Sequence, residues 1–304
     1  MTGKRDGKGD VKVNQDTRAA TIALYDRYTH EGMDRRAFMA ELTRIAGSAA
    51  AAATLLAAVS ADPAAAALVE PDDRRVVGRR MRWPVGGGRT MAGYQAEPRS
   101  PAGPLGSVLV VHENRGLNAH IEDVARRVAV AGFRAVAPDF LSPVGGTPAD
   151  QDAAREAIGK LDLGQSVADG VASLRLLAML PGANGKVGAV GFCWGGAMVN
   201  RLAAGAGGAL RAGVPFYGSG LDPALAPKVE AAMLLHYAGL DERVNATGLP
   251  WAEALRGAGK RVEWHVYEGV NHAFHNDTSA ERYNEAAAKL AWQRTVEFFG
   301  RELR

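Results

Sequence analysis

The chain has 304 residues, of which 47% are hydrophobic, 23% charged and 7% aromatic, and its formal net charge is +3. This composition excludes a disordered or collagen-like chain and is typical of one large or two small globular domains. The 36 basic residues are nearly balanced by 33 acidic ones and form no stripe interleaved with aromatic residues, which argues against a nucleic-acid partner. Cys193 is the only cysteine, so we expect no internal disulfide, and no cysteine and histidine cluster has the spacing of a structural metal site.

The first 67 residues predict an export signal rather than a domain. The pair Arg35-Arg36 precedes Phe38, a weakly apolar run of small residues follows at 47–60, and an Ala-x-Ala-like site lies at 64–67. This order is typical of a twin-arginine signal that is cleaved after export to the periplasm. The apolar run is too short for stable membrane anchoring. The alternative is an amphipathic helix that stays on a cytoplasmic protein.

Residues 68–304 predict one α/β domain with a mostly parallel central sheet and helices on both faces. Two antiparallel strands joined by a glycine turn are expected first, because polar and apolar residues alternate there. Apolar strands then alternate with amphipathic helices, which indicates a parallel sheet covered on both faces. Ligand sites in such sheets lie at the carboxyl ends of the strands. The predicted strands are 76–83, 90–96, 107–111, 133–137, 186–192, 212–217, 232–237 and 262–267, and the predicted helices are about 121–131, 148–160, 165–180 and 280–299.

Two of these helices have a predicted orientation. The spacing of apolar residues in the first helix places Arg126 and Arg127 on its exposed face. In the last helix the pattern predicts that Leu290, Val296 and Phe299 are buried.

A nucleophile elbow is predicted at Gly191-Phe-Cys-Trp-Gly-Gly196, between a strand and a helix. A side chain at such a turn is lifted above the sheet, and the start of the following helix stabilises a thiolate. The alternative is that Cys193 is a buried residue beside a glycine-rich packing turn.

Two residues further along the chain complete a catalytic pattern. In this fold the nucleophile is followed by an acid and then by a histidine. Asp241 and His272 both lie directly after predicted strands, where an acid and a base can converge on the cysteine. Asp241 can instead cap the next helix, and His272 can be a solvated loop histidine. The other histidines in this part of the chain are His236, His265 and His275.

The segment after the first parallel strand predicts further site residues. The backbone N–H groups of Asn114 and Trp194 are expected to form the oxyanion hole, since the second donor of such sites follows this strand. Glu113 is either a surface charge or a carboxylate that controls when the thiol ionises. His112-Glu113 is not a zinc motif, because no histidine follows at helical spacing.

These motifs together resemble the dienelactone hydrolase (carboxymethylenebutenolidase) family over about residues 76–299. The resemblance implies an α/β-hydrolase fold, no cofactor, and hydrolysis of a lactone through a cysteine acyl-enzyme. It assigns Cys193 as nucleophile, His272 as base, Asp241 as its orienting acid and Glu113 as the carboxylate that holds the resting thiol. The segments that carry it are Val-His-Glu-x-x-Gly-x-Asn at 111–118, Gly-Phe-Cys-Trp-Gly-Gly at 191–196, Gly-x-Asp at 239–241 and Gly-x-x-His-x-Phe at 269–274.

The chain departs from the family where the substrate carboxylate is bound. Family members have an arginine four residues after the histidine, and this position is Asn276 here. The second carboxylate-binding arginine of the family corresponds loosely to Arg155. The expected partner is therefore a small-molecule lactone or activated ester, with or without a carboxylate. A general carboxylesterase or thioesterase and a non-catalytic binding protein on the same scaffold are the alternatives. A monomer and a homodimer fit the sequence equally.

Overall fold

The computed structural model describes residues 15–60 and 67–304, which fall into two compact units. The described residues of the first unit are 15–60 and 279–281. Those of the second unit are 67–278 and 282–304.

The first unit contains three helices, α1 (Gln15–His30), α2 (Arg35–Ala46) and α3 (Ala49–Val59). The side chain of Asp34 accepts hydrogen bonds from the amides of residues 36 and 37, so α2 begins at the paired arginines. The rings of Tyr28 and Phe38 stack with centroids 4.2 Å apart, in a core that belongs to this unit alone. The predicted signal therefore contains folded helices, and export stays a prediction. Its cleavage region at 64–67 lies almost entirely outside the described residues.

Within residues 15–60 and 67–304, no single helix is long and apolar enough to cross a membrane. The pair α2 and α3 meets the criteria of length and composition only when the two helices are taken together, and they are bent by 107°.

The second unit is built on an eight-stranded sheet in the order β1-β2-β4-β3-β5-β6-β7-β8. The first two strands pair antiparallel, β2 also pairs antiparallel with β4, and all other neighbours are parallel. The sheet confirms the predicted fold class and the antiparallel opening pair. The strands are β1 (Val76–Gly86), β2 (Arg89–Pro98), β3 (Leu105–Val111), β4 (Arg134–Asp139), β5 (Ala183–Phe192), β6 (Ala212–Phe216), β7 (Ala232–Ala238) and β8 (Val262–Tyr267).

Helices cover both faces of this sheet, as the apolar strands predict. Successive residues of β5 alternate between two cores, with Val190 and Phe192 in one and Val187 and Ala189 in the other. Helices α4 and α9 pack in the first core, and α6, α7 and α8 pack in the second. The helices of this unit are α4 (Ala119–Val130), α5 (Gln151–Gly159), α6 (Leu163–Met179), α7 (Trp194–Gly205), α8 (Glu242–Gly257) and α9 (Glu285–Leu303).

The prediction that two arginines of α4 are exposed is wrong. Arg126 and Arg127 are buried. The Arg126 guanidinium donates to the carbonyl of Val69 at 2.5 Å, and Arg127 forms ion pairs with Asp123 and Asp277. Charged residues are usually exposed to solvent. Both arginines can be buried here because each has a carbonyl or carboxylate partner.

The last helix begins later than predicted and turns a different face inward. The side chain of Asn284 accepts a hydrogen bond from the amide of residue 287 and caps α9. Leu290 is 43% exposed and Val296 is half-buried, whereas Phe299 is buried as predicted. Phe298 is buried beside it, so the inward face includes Phe298 and not Leu290.

Candidate active site

Cys193 lies at the junction of β5 and α7, at the carboxyl end of the central strand. Its φ of 56° and ψ of −114° lie in a region that residues other than glycine rarely adopt. The backbone is held there because the Cys193 amide donates to the carbonyl of Phe216 at 3.1 Å. Strained residues of this kind concentrate at functional sites. The sharp turn places Sγ at the first turn of a helix, as the elbow motif predicts.

The elbow requires glycine on both sides of the cysteine. A Cβ atom on Gly191 would lie 2.2 Å from the carbonyl oxygen of Gly195. A Cβ atom on Gly195 would lie 2.3 Å from the carbonyl oxygen of Val111, on the neighbouring strand. Both distances are far below van der Waals contact, so the strand-to-helix turn closes only with glycine at these positions.

His272 and Asp241 form a direct hydrogen bond. The Nδ1 atom of His272 lies 2.5 Å from Oδ2 of Asp241, and both side chains are buried. The other carboxylate oxygen of Asp241 accepts from the amide of Val244 at 3.1 Å and so caps α8. The contact with His272 and the cap of α8 therefore coexist, because each uses a different oxygen of Asp241.

The structure brings His272 and Cys193 together. A ring nitrogen of His272 and Sγ of Cys193 lie within 4.8 Å of each other. Burial acts to lower the pKa of His272, but the negative charges of Asp241 and Cys193 and the hydrogen bonds to them outweigh it and raise the pKa to about 10. Burial acts to raise the pKa of Asp241, yet the charge and hydrogen bond of His272 lower it. These shifts favour an imidazolium on His272 that is paired with the carboxylate of Asp241.

The other histidines of this unit have different surroundings. His236 is buried and its two ring nitrogens contact Thr295 and Tyr267 at 3.1 and 3.0 Å. His265 lies beside it on β8, with ring centroids 6.1 Å apart. The ring of His275 packs against Phe192, under the elbow, at 5.0 Å. Among these histidines, His272 alone is bonded to Asp241.

Glu113 lies two residues after the end of β3 and is buried, not a surface charge. Its Oε2 atom accepts a hydrogen bond of 2.8 Å from the side-chain amide of Asn276. Asn276 is itself fixed, because its oxygen accepts from the amide and the hydroxyl of Thr278 at 3.0 and 2.6 Å. Oε1 of Glu113 is buried and has no hydrogen-bond partner among the described residues. One carboxylate oxygen is thus held by a neutral donor, and the other is free to accept.

Asn276, the first of the two predicted substrate-binding residues, therefore holds Glu113. Arg155, the second predicted substrate-binding residue, lies on α5, where its Nε is 3.8 Å from Oδ1 of Asp152. Asn276 belongs to the cluster around Glu113, whereas Arg155 forms an ion pair with a residue of its own helix.

The loop that carries Asn114 is anchored by a histidine that the sequence analysis passed over. His112 is fully buried, and its Nε2 accepts from the amide of Phe140 at 3.2 Å. Its Nδ1 must then carry the proton, which it donates to the carbonyl of Glu113 at 2.7 Å. Burial lowers the pKa of His112 and keeps it neutral. Its ring stacks on Trp194 at 5.3 Å, so one side chain contacts both segments predicted to supply the oxyanion donors.

A second residue that the sequence analysis missed is Tyr217, directly after β6. It has a φ of 37°, and its ring lies 5.0 Å from that of His272. The neighbouring Phe216-Tyr217 sequence reads as the end of an apolar strand, so no local signal distinguishes it from core.

Exchanging the donor that holds Glu113 is expected to destabilise the protein. Asn276→Asp keeps the acceptor for Thr278 but places a second carboxylate against Glu113. We expect the free energy of unfolding at pH 7 to fall by about 3 kcal/mol, because a buried hydrogen bond becomes a like-charge contact. In a domain of this size the Tm should fall by about 6–12 °C, measured by thermal unfolding.

The matched control is the double variant Glu113→Gln with Asn276→Asp, which exchanges donor and acceptor. It should regain most of the lost stability, since an amide again faces a carboxylate. If the double variant is as unstable as Asn276→Asp alone, the Glu113 contact does not account for the loss.

The sheet order, the strained elbow and the histidine and acid on following loops define an α/β-hydrolase fold. A dienelactone hydrolase from Anabaena variabilis has this fold: its crystal structure aligns with a TM-score of 0.61 at 22% identity, covering 76% of this chain and all of that one. The model of the dienelactone hydrolase family matches residues 91–303. The chain belongs to the dienelactone hydrolase family.

Two similar proteins with a related name agree with this assignment. The carboxymethylenebutenolidases of Pseudomonas putida and Pseudomonas knackmussii are each 32% identical to the chain over 220 residues. The match covers 69% of this chain and 91% of each relative. The family membership confirms the resemblance and the expectation of a hydrolase.

Proposed function

We propose that the protein hydrolyses a lactone or an activated carboxylic ester through a Cys193 acyl-enzyme. The observation that carries the proposal is the buried chain of contacts from Asp241 through His272 to Cys193, on a strained elbow. The relatives named carboxymethylenebutenolidase support the choice of a lactone or ester as substrate.

In the first half of the reaction the Cys193 thiolate attacks the substrate carbonyl. The negative oxygen that forms is held by the backbone N–H groups of Asn114 and Trp194, and each such donor typically lowers the barrier by ~3 kcal/mol. The bond from carbon to the leaving oxygen then breaks, and that oxygen takes the proton from His272. The product is a thioester on Cys193 and a free alcohol, or an opened ring in a lactone.

In the second half water hydrolyses the thioester. His272, now neutral, removes a proton from the water, while Asp241 fixes its ring through Nδ1 and stabilises the imidazolium that forms. The thiolate leaves, and Cys193 and His272 return to the protonation states with which the attack began. A thiolate is a good leaving group from the tetrahedral adduct, which favours lactones, enol esters and thioesters over amides.

The acceptor for the resting thiol is Glu113 in this proposal. Its Oε1 atom is buried and unpartnered among the described residues, so it can accept the S–H proton when Cys193 is not ionised. The neutral Asn276 holds the other oxygen in place without adding positive charge.

The same neutral contact favours a second candidate, a general carboxylesterase acting on uncharged esters. Asn276 cannot pair with a substrate carboxylate as a guanidinium does. A panel of paired substrates, each with and without a free carboxylate, separates the two candidates by kcat/KM. Preference for the charged member would favour the dienelactone-type substrate.

Mass spectrometry tests the acyl-enzyme directly. On mixing with a 4-nitrophenyl ester or a lactone, the intact mass should rise by the mass of the acyl group, and digestion should locate the adduct on Cys193. The Cys193→Ala variant should show no adduct. Hydrolysis that continues undiminished after complete alkylation of Cys193 would exclude the proposal.

A non-catalytic binding protein is distinguished by the reactivity of the thiol. Iodoacetamide near neutral pH reacts fast with a thiolate beside an imidazolium and slowly with a buried structural thiol. Because Cys193 is the only cysteine, any incorporation reports this residue alone.

The N-terminal segment supports a proposal for the cellular location. We propose periplasmic export through the paired arginines at 35 and 36, with a small-molecule ester or lactone as the partner of the second unit.

A further inference from the structure

Tyr217 has a buried hydroxyl whose hydrogen-bonding capacity is not used within the described residues. The side chain is 1% exposed, and its hydroxyl has no hydrogen-bond partner among the described residues. A buried hydroxyl without a partner costs free energy, and such groups are few in folded proteins.

The backbone at Tyr217 is strained as well. Its φ of 37° is positive, although the residue is not glycine. The conformation is fixed from two sides, because the Tyr217 amide donates to the carbonyl of His236 at 2.7 Å and the preceding carbonyl accepts from the Cys193 amide. The following residue, Gly218, is packed so closely on the first turn of α7 that a Cβ atom would lie 2.3 Å from Gly196. The fold thus stabilises an unfavourable conformation that directs this side chain to one place.

That place is the active site. The ring of Tyr217 lies 5.0 Å from the ring of His272. Burial raises the pKa of its phenol well above 10, and the charges of Glu113 and Cys193 raise it further, while Arg282 acts in the opposite direction. The hydroxyl therefore keeps its proton and can only donate or accept a hydrogen bond.

The sheet order decides which side of the cysteine Tyr217 occupies. The strand β5, which carries Cys193, has β3 on one side and β6 on the other. Asn114 follows β3, so the predicted oxyanion donors lie toward that side. Tyr217 follows β6, and Asp241 and His272 follow the next two strands. Because the leaving oxygen takes its proton from His272, it lies on the same side of Cys193 as Tyr217.

We propose that the Tyr217 hydroxyl donates a hydrogen bond to the leaving oxygen of the substrate while Cys193 is acylated. In this step the bond between Sγ and the carbonyl carbon has formed, and the bond from carbon to oxygen breaks. The electron pair goes to the oxygen, which receives its proton from His272. Tyr217 keeps its own proton and stabilises the charge that develops. The assignment rests on the proposed acyl-transfer function.

The test is Tyr217→Phe on acetate esters with different alcohols: 4-nitrophenol, phenol and an aliphatic alcohol. A donor to the leaving oxygen matters more as the alcohol becomes more basic. We expect kcat/KM, which reports acylation, to fall by ~10-fold or more for the phenyl and alkyl esters and by less than ~3-fold for the 4-nitrophenyl ester. The dependence of rate on the basicity of the alcohol should therefore become steeper.

The matched control is Tyr237→Phe. Tyr237 is also buried, on β7, but its hydroxyl donates to the carbonyl of Gly248 at 2.8 Å. This variant should lose thermal stability and keep the selectivity among alcohols. Tyr217→Phe should keep its Tm, because the resting hydroxyl forms no hydrogen bond with any of the described residues.

The possible results separate failure of the Tyr217 assignment from failure of the proposed function. A uniform fall across the three esters, or no fall, in a folded Tyr217→Phe variant would overturn the assignment and leave the proposed function standing. If the unsubstituted protein hydrolyses none of a wide panel of esters and lactones, the proposed function fails, and this assignment fails with it.

Discussion

Cys193→Ala is expected to reduce the hydrolysis of an aryl ester by at least ~10⁴-fold while leaving the protein folded. The substitution removes the only sulfhydryl of the chain and the atom that forms the bond to substrate. The expected cost in stability is small, since the side chain loses one atom and alanine has the same backbone requirements. Initial rates with a 4-nitrophenyl ester and a thermal melt measure the two effects.

The same variant should change the charge state of His272. The pKa of His272 is raised to about 10 in part by the negative charge of Cys193. Without that charge the pKa of His272 should fall, which a titration of its ring protons by NMR would detect. Full activity in Cys193→Ala, or an unchanged titration, would show that sulfur and imidazole do not act together. Cys193→Ser is a weaker test, because His272 can also activate a hydroxyl.

Asp241→Asn is expected to lower kcat by ~10³–10⁴-fold. The carboxylate uses one oxygen for the amide of Val244 and the other for Nδ1 of His272. An amide has a single acceptor oxygen and cannot serve both, so the ring of His272 loses its fixed tautomer or α8 loses its cap. Steady-state kinetics measures the fall in kcat.

The pH dependence of stability gives an independent measurement of the contact between Asp241 and His272. The pKa of His272 is raised from 6.5 to about 10, so its pairing contributes stability that is fully present below pH 6.5 and is lost as the pH rises through 10. The pKa of Asp241 is lowered from 3.8, so its contribution is present above that pH and is lost at lower pH. In Asp241→Asn the pKa of His272 should move from about 10 back toward 6.5, and the loss of stability in alkali should shift with it.

Asp162→Asn is the matched control for the cap. Asp162 caps α6 through the amide of Gln165 at 2.9 Å, and it contacts none of the residues around Cys193 described above. This variant should keep full activity. A comparable fall in kcat in Asp162→Asn would mean that the loss in Asp241→Asn comes from helix capping and not from His272.

The alternation of strands and helices could be predicted from the sequence because each element carries its own periodicity. The eight strands appear within a few residues of their predicted positions, and Cys193, Asp241 and His272 all lie at carboxyl ends of strands. The prediction of which side chains are exposed failed where contacts with distant segments determine burial. Arg126 and Arg127 look exposed in a helical pattern, yet the carbonyl of Val69 and two aspartates stabilise them inside.

The residues of the candidate site show the same difference between local sequence signals and long-range contacts. The glycines around Cys193 and the order of cysteine, acid and histidine are local or sequential signals, so they predict the elbow and its candidate partners from the sequence. The role of Asn276 as the donor to Glu113 joins residues 163 positions apart, and no pattern within either segment indicates that contact. Tyr217 has the character of a core residue in sequence, and only its positive φ and unpaired hydroxyl distinguish it.

The sequence by itself therefore determined the fold class, the family and the three residues that carry the proposed chemistry, because turn geometry and strand periodicity are encoded in neighbouring residues. The tertiary structure alone decided which buried polar atoms are paired and which are left open beside Cys193. That pairing depends on the approach of distant segments, since a hydrogen bond forms or fails over a few tenths of an ångström.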